Sequence, residues 1–380
     1  MKLRGFGSPV SVLAIVIGFA VTGLLVFAPG SQEEEEADSG SRSGSNGQSR
    51  SQGSTAEPGI SGLTTGQGRL RTADTRLTLQ HSTSDFFESM MSGGPPPDGI
   101  PSIDEPEFIP ASESGLDDGD MVIGLEHEGV VRAYPQQILV LHEIVNQEIA
   151  GENVAVTYCP LTATAQCYVT GDTTMGVSGR LVNSNLVMYD RDTGSLWPQI
   201  GGTAVAGERE GESLEEVNVT WTTWGQWLDR HPDTEVLSAN TGHARNYGRD
   251  PYGSYNPRGG YYTSSGTMFP VMSEDDRYHE KDMVVGARTE QRAAFFHMEE
   301  LAEAGIRETE HFIGVYDGAL TTGHIYRKDS EVELTYEDGA VRNEATGETF
   351  DPDEVPLERV IPIEGFYFAW NAFYPESEHP

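Results

Sequence analysis

The hydrophobic pattern divides the chain into three zones. An uncharged apolar run of nineteen residues, Val10 to Ala28, follows Lys2 and Arg4. At about 1.5 Å of rise per residue it spans roughly 28 Å, enough to cross a bilayer as a helix. The positive flank predicts a cytoplasmic N-terminus and an extracellular remainder. The alternative is a cleaved signal peptide and a secreted protein, although Val26-Phe27-Ala28 fits a small-residue cleavage site poorly. From residue 31 to about 74 the chain is Gly, Ser, Gln and Glu, with too little apolar surface to offset the entropy of ordering. Residues 75–105 carry Phe86-Phe87, Met90-Met91 and Pro95-Pro96-Pro97, which suits a segment lying against a folded body.

Beyond residue 105, short alternating segments take over. Met121 to Leu125 and Val130 to Tyr134 read as strands joined at Gly129, and Pro135 suits the first position of a helix. Ile138, Leu141, His142 and Val145 recur at i, i+3, i+4 and i+7, which predicts a helix to about Val145 with His142 on its apolar face. Val154 to Cys159, Ala165 to Val169 and Leu186 to Tyr189 read as further strands, before a Thr193-Gly194 turn into Leu196-Trp197. The predicted class is α+β, rich in antiparallel strand.

The pattern then recurs. Asp120-Met-Val-Ile-Gly124 returns as Asp282-Met-Val-Val-Gly286, and Val154 to Tyr168 can be laid on Phe312 to Tyr326. Asp192-Thr-Gly-Ser-Leu-Trp197 falls on Ala345-Thr-Gly-Glu-Thr-Phe350, and Leu214-Glu-Glu-Val217 on Leu357-Glu-Arg-Val360, with Trp224 near the place of Trp370. Matching blocks in one order predict two tandem copies, about 118–235 and 280–375. The expected organisation is a membrane anchor or signal segment over 1–30, a linker and lead-in over 31–105, a first copy over 106–239, a connecting strap over 240–279, and a second, degenerate copy over 280–375. Loops as long as the strap are functional or disordered. Its His243, Arg245, Tyr247, Tyr252, Tyr255 and Tyr262 predict an ordered strap that walls a pocket or covers a sheet edge.

Charge changes the setting. Sixty Asp and Glu against 24 Lys and Arg give a net charge of −36, and Lys occurs only at 2, 281 and 328. This is the surface of a halophilic protein, where screening at about 1 M salt acts within about 3 Å and acids serve hydration rather than steering. Such a surface offers no footprint for phosphates, so nucleic acid is not an expected partner. The expected contacts are the membrane, through the N-terminal segment, and a small-molecule or protein ligand of unspecified kind.

Several motifs carry a resemblance. They are Arg132-Ala-Tyr-Pro135, Leu141-His-Glu-Ile-Val-Asn146, Tyr158-Cys-Pro-Leu161, the block Val177 to Arg191 with Trp197 and Gln199, Thr223-Trp224, Trp227, His231-Pro232, and Asp250-Pro-Tyr-Gly-Ser-Tyr255. Over roughly residues 100 to 375 the chain resembles the domain-of-unknown-function family 3179. The resemblance implies no particular reaction or ligand. Members often carry a second cysteine in a C-P-L-C pattern. Here that position is Thr162, so a C-x-x-C redox pair is excluded.

The candidate chemistry gathers around the two cysteines of the chain. A hairpin turning near Leu161-Thr162 sets Thr164 opposite Cys159 and Cys167 near Val156, so a disulfide needs a different turn. Cys159 reads as an exposed rim thiol, a ligand or nucleophile, or as a small buried hydrophobe. His142 is a satisfied core residue or a ligand, Asp190-Arg191 an ion pair bracing a turn or a pocket wall, and Met188 a core residue or a soft ligand. In the repeat register Cys159 falls on Asp317, His142 on Ala304, and Asp190 and Arg191 on Asn343 and Glu344, which predicts that only the first copy keeps a site.

Three functions compete. Cys159, His142 and Met188 would suit a soft metal such as copper, the one cofactor suggested. Alternatively, Cys159 is a nucleophile activated by His142 and oriented by Asp190 or Asn146. In the third reading the motifs are structural and the protein is a non-catalytic extracellular binding or envelope module. Asn218-Val-Thr220, an N-glycosylation acceptor, fits an external face. Cys159 is expected to react with a thiol reagent in the native state and Cys167 only on unfolding.

Overall fold

A computed structural model describes residues 69–328 and 332–380. The apolar run at 10–28 and nearly all of the polar spacer lie outside these residues. Among the described residues no helix is long and apolar enough to cross a membrane. From residue 69 the chain is already laid on the folded body. Leu70 is buried, and a short helix, Thr83–Glu88, is closed by a Ser82–Asp85 capping box. That helix sinks Phe86 against Phe373 with ring centroids 5.3 Å apart.

The first set of elements starts with β1 (Met121–His127) and β2 (Val130–Pro135), an antiparallel hairpin turning at Glu128-Gly129. A single helical turn, α1 (Gln136–Leu139), leads to β3 (Ile144–Ile149), β4 (Glu152–Cys159), β5 (Thr164–Gly171), β6 (Met175–Val182), β7 (Asn185–Asp190) and β8 (Leu196–Pro198). Then β9 (Glu215–Val217), β10 (Val219–Thr223) and α2 (Trp224–Arg230) complete the set. The sheet orders are β10-β1-β2, extended by strands at 235–237 and 108–110; β9-β5-β4-β3; and β6-β7-β8, edged by a strand at 91–92.

A second set follows the strap: β11 (Met283–Arg288), β12 (Ala293–His297), α3 (Met298–Ala304), β13 (Ile306–Glu308), β14 (Phe312–Asp317) and β15 (Thr322–Arg327). It continues with β16 (Leu334–Glu337), β17 (Ala340–Asn343), β18 (Thr349–Phe350), β19 (Arg359–Val360), β20 (Ile363–Phe366) and α4 (Tyr367–Phe373). Its sheets run β20-β11-β12, β19-β15-β14-β13 and β16-β17-β18. The fold is therefore mostly β, built from sheets that are antiparallel except where the strand at 235–237 runs parallel to β2, with five short α-helices among the described residues, and less helical than the α+β class expected.

The helix expected from Pro135 to Val145 lasts one turn. Ile144 onward is a β-branched segment that pairs with β4 across an Ala150-Gly151 turn, where both residues have positive φ (52° and 87°). Six cross-strand pairs with a buried partner strand outweigh a short run of helical spacing. The Cys159 hairpin has the expected register, Cys159 opposite Thr164 and Val156 opposite Cys167, and both thiols are free.

Close approach of a helix to a glycine locks each set. A Cβ on Gly124 would lie 2.2 Å from the Trp227 ring, and one on Gly286 would lie 2.5 Å from the Trp370 ring. The two indoles are held alike, Trp227 donating to Thr234 Oγ1 and Trp370 to Ser377 Oγ, each at 3.0 Å. Trp227, and not Trp224, occupies the place matching Trp370. Gly124→Ala is expected to cost about 1–3 kcal/mol, because a methyl must displace a buried indole. The readout is a lower denaturation midpoint at unchanged slope; an unchanged midpoint would contradict the packing described.

Candidate functional site

The end of α1 sets the site. His142 and Glu143 fall in the tight link between α1 and β3, and Glu143 adopts φ 61°, left-handed space that a residue with a Cβ enters at a cost. The Tyr158 N–H donates to the Glu143 carbonyl at 2.7 Å, tying this link to β4 one residue before Cys159. In the second set the corresponding place between α3 and β13 is held by Gly305 (φ 74°), whose carbonyl accepts from Tyr316 N–H at 2.8 Å. A Cβ there would lie 2.1 Å from the Tyr336 ring. Glycine is the ordinary solution at a helix C-terminus. The first set carries a glutamate instead.

The Glu143 side chain is 8 % exposed and has no hydrogen-bond or ion-pair partner among the described residues. Burial pushes its carboxyl from the ordinary 4.5 up to about 8. Its charge is felt by Cys159, whose thiol is pushed up to about 11, first by burial and then by Glu143. Cys159 is 1 % exposed rather than on a rim. It donates to the Ser184 carbonyl at 3.8 Å and accepts from Leu186 N–H at 3.4 Å. Its protonated form dominates at neutral pH, so it is a poor nucleophile there.

The strap covers this corner. Tyr252 packs against three apolar cores of the body, and both Glu143 and Cys159 raise the pKa of its hydroxyl, after burial. That hydroxyl has no hydrogen-bond partner among the described residues. Tyr261 stands beside it, ring centroids 6.0 Å apart, and donates to the Leu161 carbonyl at 2.7 Å. Asp250 anchors the strap by accepting from Gln136 Nε2, the Tyr262 hydroxyl and Tyr252 N–H, each at 2.8 Å.

The other residues singled out from the sequence are committed elsewhere. His142 Nδ1–H donates to the Pro101 carbonyl, and Nε2 accepts from the Tyr247 hydroxyl, both at 2.7 Å. Burial foremost, then His243 and Arg245, hold its pKa down to about 4, with the Pro101 bond opposing. The ring is neutral and both nitrogens are used. Asp190 accepts from Trp197 Nε1 at 2.9 Å and from Thr193 N–H at 2.6 Å. Arg191 turns away from Asp190 to Asp98 (3.0 Å) and Ser102 (3.1 Å), so the two do not pair with each other. Met188 shares one buried core with Cys159 and Trp197. Asn146 binds Asp104 at 2.6 Å and the Met175 backbone at 2.9 Å. No group of three or more His, Cys, Asp or Glu among the described residues is placed to hold a metal. Sequence reasoning missed Glu143 and Asp250, although both lie inside the quoted motifs, and named Tyr252 only as part of the strap.

A surface groove of about 510 Å³ lies elsewhere, lined by Arg69, Arg71 and Arg209. Of these, Arg71 is paired with Glu152 and Glu215, and Arg209 with Asp192 and Glu212. Arg209 Nε is buried there without a partner, but its guanidinium is already paired with two carboxylates.

The model of the family described as protein of unknown function (DUF3179) matches residues 97–377. The chain belongs to this family. No curated protein and no solved structure matches the chain. The DUF3179 motifs thus map onto the α1–β3 link, the Cys159 hairpin, the Asp190–Trp197 brace and the strap that covers them.

Two outcomes follow from this geometry. Both cysteines are expected to resist a thiol reagent until the protein unfolds, replacing the expectation of a selectively reactive Cys159; rapid native labelling of Cys159 would contradict its burial. Because the Glu143 pKa is raised on folding, the folded state binds the extra proton and stability falls as pH rises from about 4.5 through about 8. Glu143→Gln should flatten that part of the stability–pH curve, and an unaltered slope would show that the carboxyl is not buried as described.

Proposed function

We propose that the protein is a non-catalytic binding module of the cell envelope, with its folded part outside the cell and its ligand seated between Glu143, Cys159 and Tyr252. One observation carries the reading: a largely buried carboxyl on strained backbone makes no hydrogen bond or ion pair among the described residues, and its charge is felt by a tyrosine hydroxyl that makes none either. An unpaired polar group in an apolar setting is costly and calls for a ligand atom. The chemistry favours an ammonium or another N–H donor. Tyr261, at the edge of the corner, already carries the Lys281 ammonium 3.7 Å from its ring centroid, so the aromatic wall suits such a group.

The competing readings ask more of the same residues. A copper site built from Cys159, His142 and Met188 would require His142 to give up Pro101 or Tyr247 and the thiol to lose a proton held to about 11. A Cys–His nucleophile would require the same, with Asp190 withdrawn from Trp197. The location outside the cell rests on the apolar run at 10–28 and its Lys2 and Arg4 flank, and the halophilic setting on the net charge of −36.

We also read the two sets of sheets as a duplication. What supports it is the repeated order of three sheets, the Gly–Trp lock in each, and left-handed residues at matching turns, Ala163 (φ 52°) and Thr321 (φ 54°). The second set carries an ion pair where the first carries the buried thiol. Asp317, in the register of Cys159, accepts from His324 at 3.3 Å, and Arg359 donates to the other His324 nitrogen at 2.8 Å.

The test is a thermal-shift series on the full-length protein with methylammonium, choline and putrescine, beside Glu143→Gln. At least one amine is expected to raise the midpoint of the parent and to lose most of that effect in the variant. No shift with any amine, or an equal shift in both proteins, would defeat the reading.

A further inference from the structure

The strap that covers the Glu143 corner is attached differently from the sheets beneath it. Among the described residues, no backbone–backbone hydrogen bond joins residues 243–265 to either set of sheets; those they make are their own, as in the hairpin of 253–255 with 258–260. Side chains tie the stretch down. Tyr247 donates to His142 (2.7 Å), Asp250 accepts from Gln136 (2.8 Å), Asn256 donates to the Gly119 carbonyl (2.9 Å) and Tyr261 to the Leu161 carbonyl (2.7 Å). A segment held in this way can lift without breaking a sheet. Gly242 (φ 77°) and Gly266 (φ 80°) bracket it, and a Cβ on either would meet nothing within 4 Å, so both ends have room to pivot.

One tie differs in kind. Lys281, just before β11, is 2 % exposed, and its ammonium makes no ion pair among the described residues. It donates instead to the Tyr261 carbonyl (2.8 Å), the Ser264 carbonyl (2.9 Å) and Ser264 Oγ (3.2 Å), and lies 3.7 Å from the centroid of the Tyr261 ring. All of these partners belong to the strap. The Lys281 backbone belongs to the body, because the carbonyls on either side of it, of Glu280 and Asp282, accept from Phe368 N–H (3.0 Å) and Tyr367 N–H (2.8 Å) at the start of α4. Burial lowers the Lys281 pKa to about 8, with Glu280 opposing, so the group is mostly charged at neutral pH. A charge solvated by strap oxygens and a strap ring favours the closed strap.

We propose that residues 243–265 form a lid over the Glu143 corner and that Lys281 is its latch. The inference rests on the ligand seat proposed there. Glu143 is 8 % and Cys159 1 % exposed beneath the strap, so a ligand reaches them when the strap lifts. Tyr261 couples latch to seat. Lys281 holds its carbonyl from the second set and Leu161, two residues after Cys159, holds its hydroxyl from the first, so releasing the ammonium frees the ring that stands beside Tyr252.

Limited chymotrypsin digestion of the full-length protein in concentrated salt, with the cut sites identified by mass spectrometry, tests the lid without any ligand. Cleavage of a transiently opened segment follows the population of its open form. Within residues 69–380 the first cuts are expected after Tyr252, Tyr261 and Tyr262, at a rate that low urea leaves unchanged because lifting the strap exposes little surface. First cuts scattered over the sheets, at a rate that climbs steeply with urea, would mean that the strap opens only with the whole fold and would overturn the lid. Lys281→Met keeps a side chain of similar length without the donors and should speed the strap cuts about tenfold. Equal rates in parent and variant would overturn the latch. Should Lys281→Met not fold, Tyr261→Phe, which keeps the ring and drops the bond to Leu161, gives the same comparison with an expected rise of about fivefold. No amine is present, so these outcomes stand apart from the thermal-shift series: a lid that opens while every amine fails removes the ligand reading alone.

Discussion

Between α1 and β3 the chain must pass through left-handed backbone space, and the character of the first set of sheets depends on how that link is filled. The α3–β13 link makes the same turn with Gly305, and an aromatic ring then packs over the bare backbone. Glu143 keeps the conformation but adds a carboxyl with nowhere to place its charge. The carbonyl of the same residue anchors β4 through Tyr158, so the link cannot relax without disturbing the strand that presents Cys159. Strain and desolvation are concentrated at one residue, the pattern associated with functional positions rather than framework ones.

Around that corner the polar motif residues are framework. Gln199 Nε2 donates to Thr157 Oγ1 (3.0 Å) and the Thr164 carbonyl (3.1 Å), while Gln199 Oε1 accepts from Thr164 Oγ1 (2.6 Å) and Asn185 Nδ2 (2.8 Å). Asp190 braces the turn into β8, and His142 is tied to the strap through Tyr247. Satisfied networks of this kind specify one packing and leave few groups free for chemistry. The contrast between these saturated groups and Glu143 distinguishes a site from a scaffold here.

Much of this was legible in the sequence. The strands, the hairpin register that separates Cys159 from Cys167, and the recurrence of Asp-Met-Val-x-Gly followed from alternation and spacing. The helix to Val145 was misread because one helical turn followed by a strand mimics helical spacing over eight residues, and tertiary pairing decides such segments. Glu143 was passed over because a lone glutamate beside a histidine, off the apolar face expected of the helix, gives no signal of burial. Its φ and its isolation are properties of the assembled sheets. Asp250 reaches Gln136 from 114 residues away, and Tyr252 packs on the core that holds Cys159, far off in sequence, so their motif could be quoted but not placed.

The central claim is that Glu143 is a buried, unpartnered acid held ready for a ligand. A titration of its side-chain carboxyl by ¹³C NMR, assigned through Glu143→Gln, tests it most directly. The account predicts a midpoint near 8 in the free protein, falling when an alkylammonium ligand is bound. A midpoint near the ordinary 4.5 would mean that the carboxyl is solvated or paired, and would contradict it.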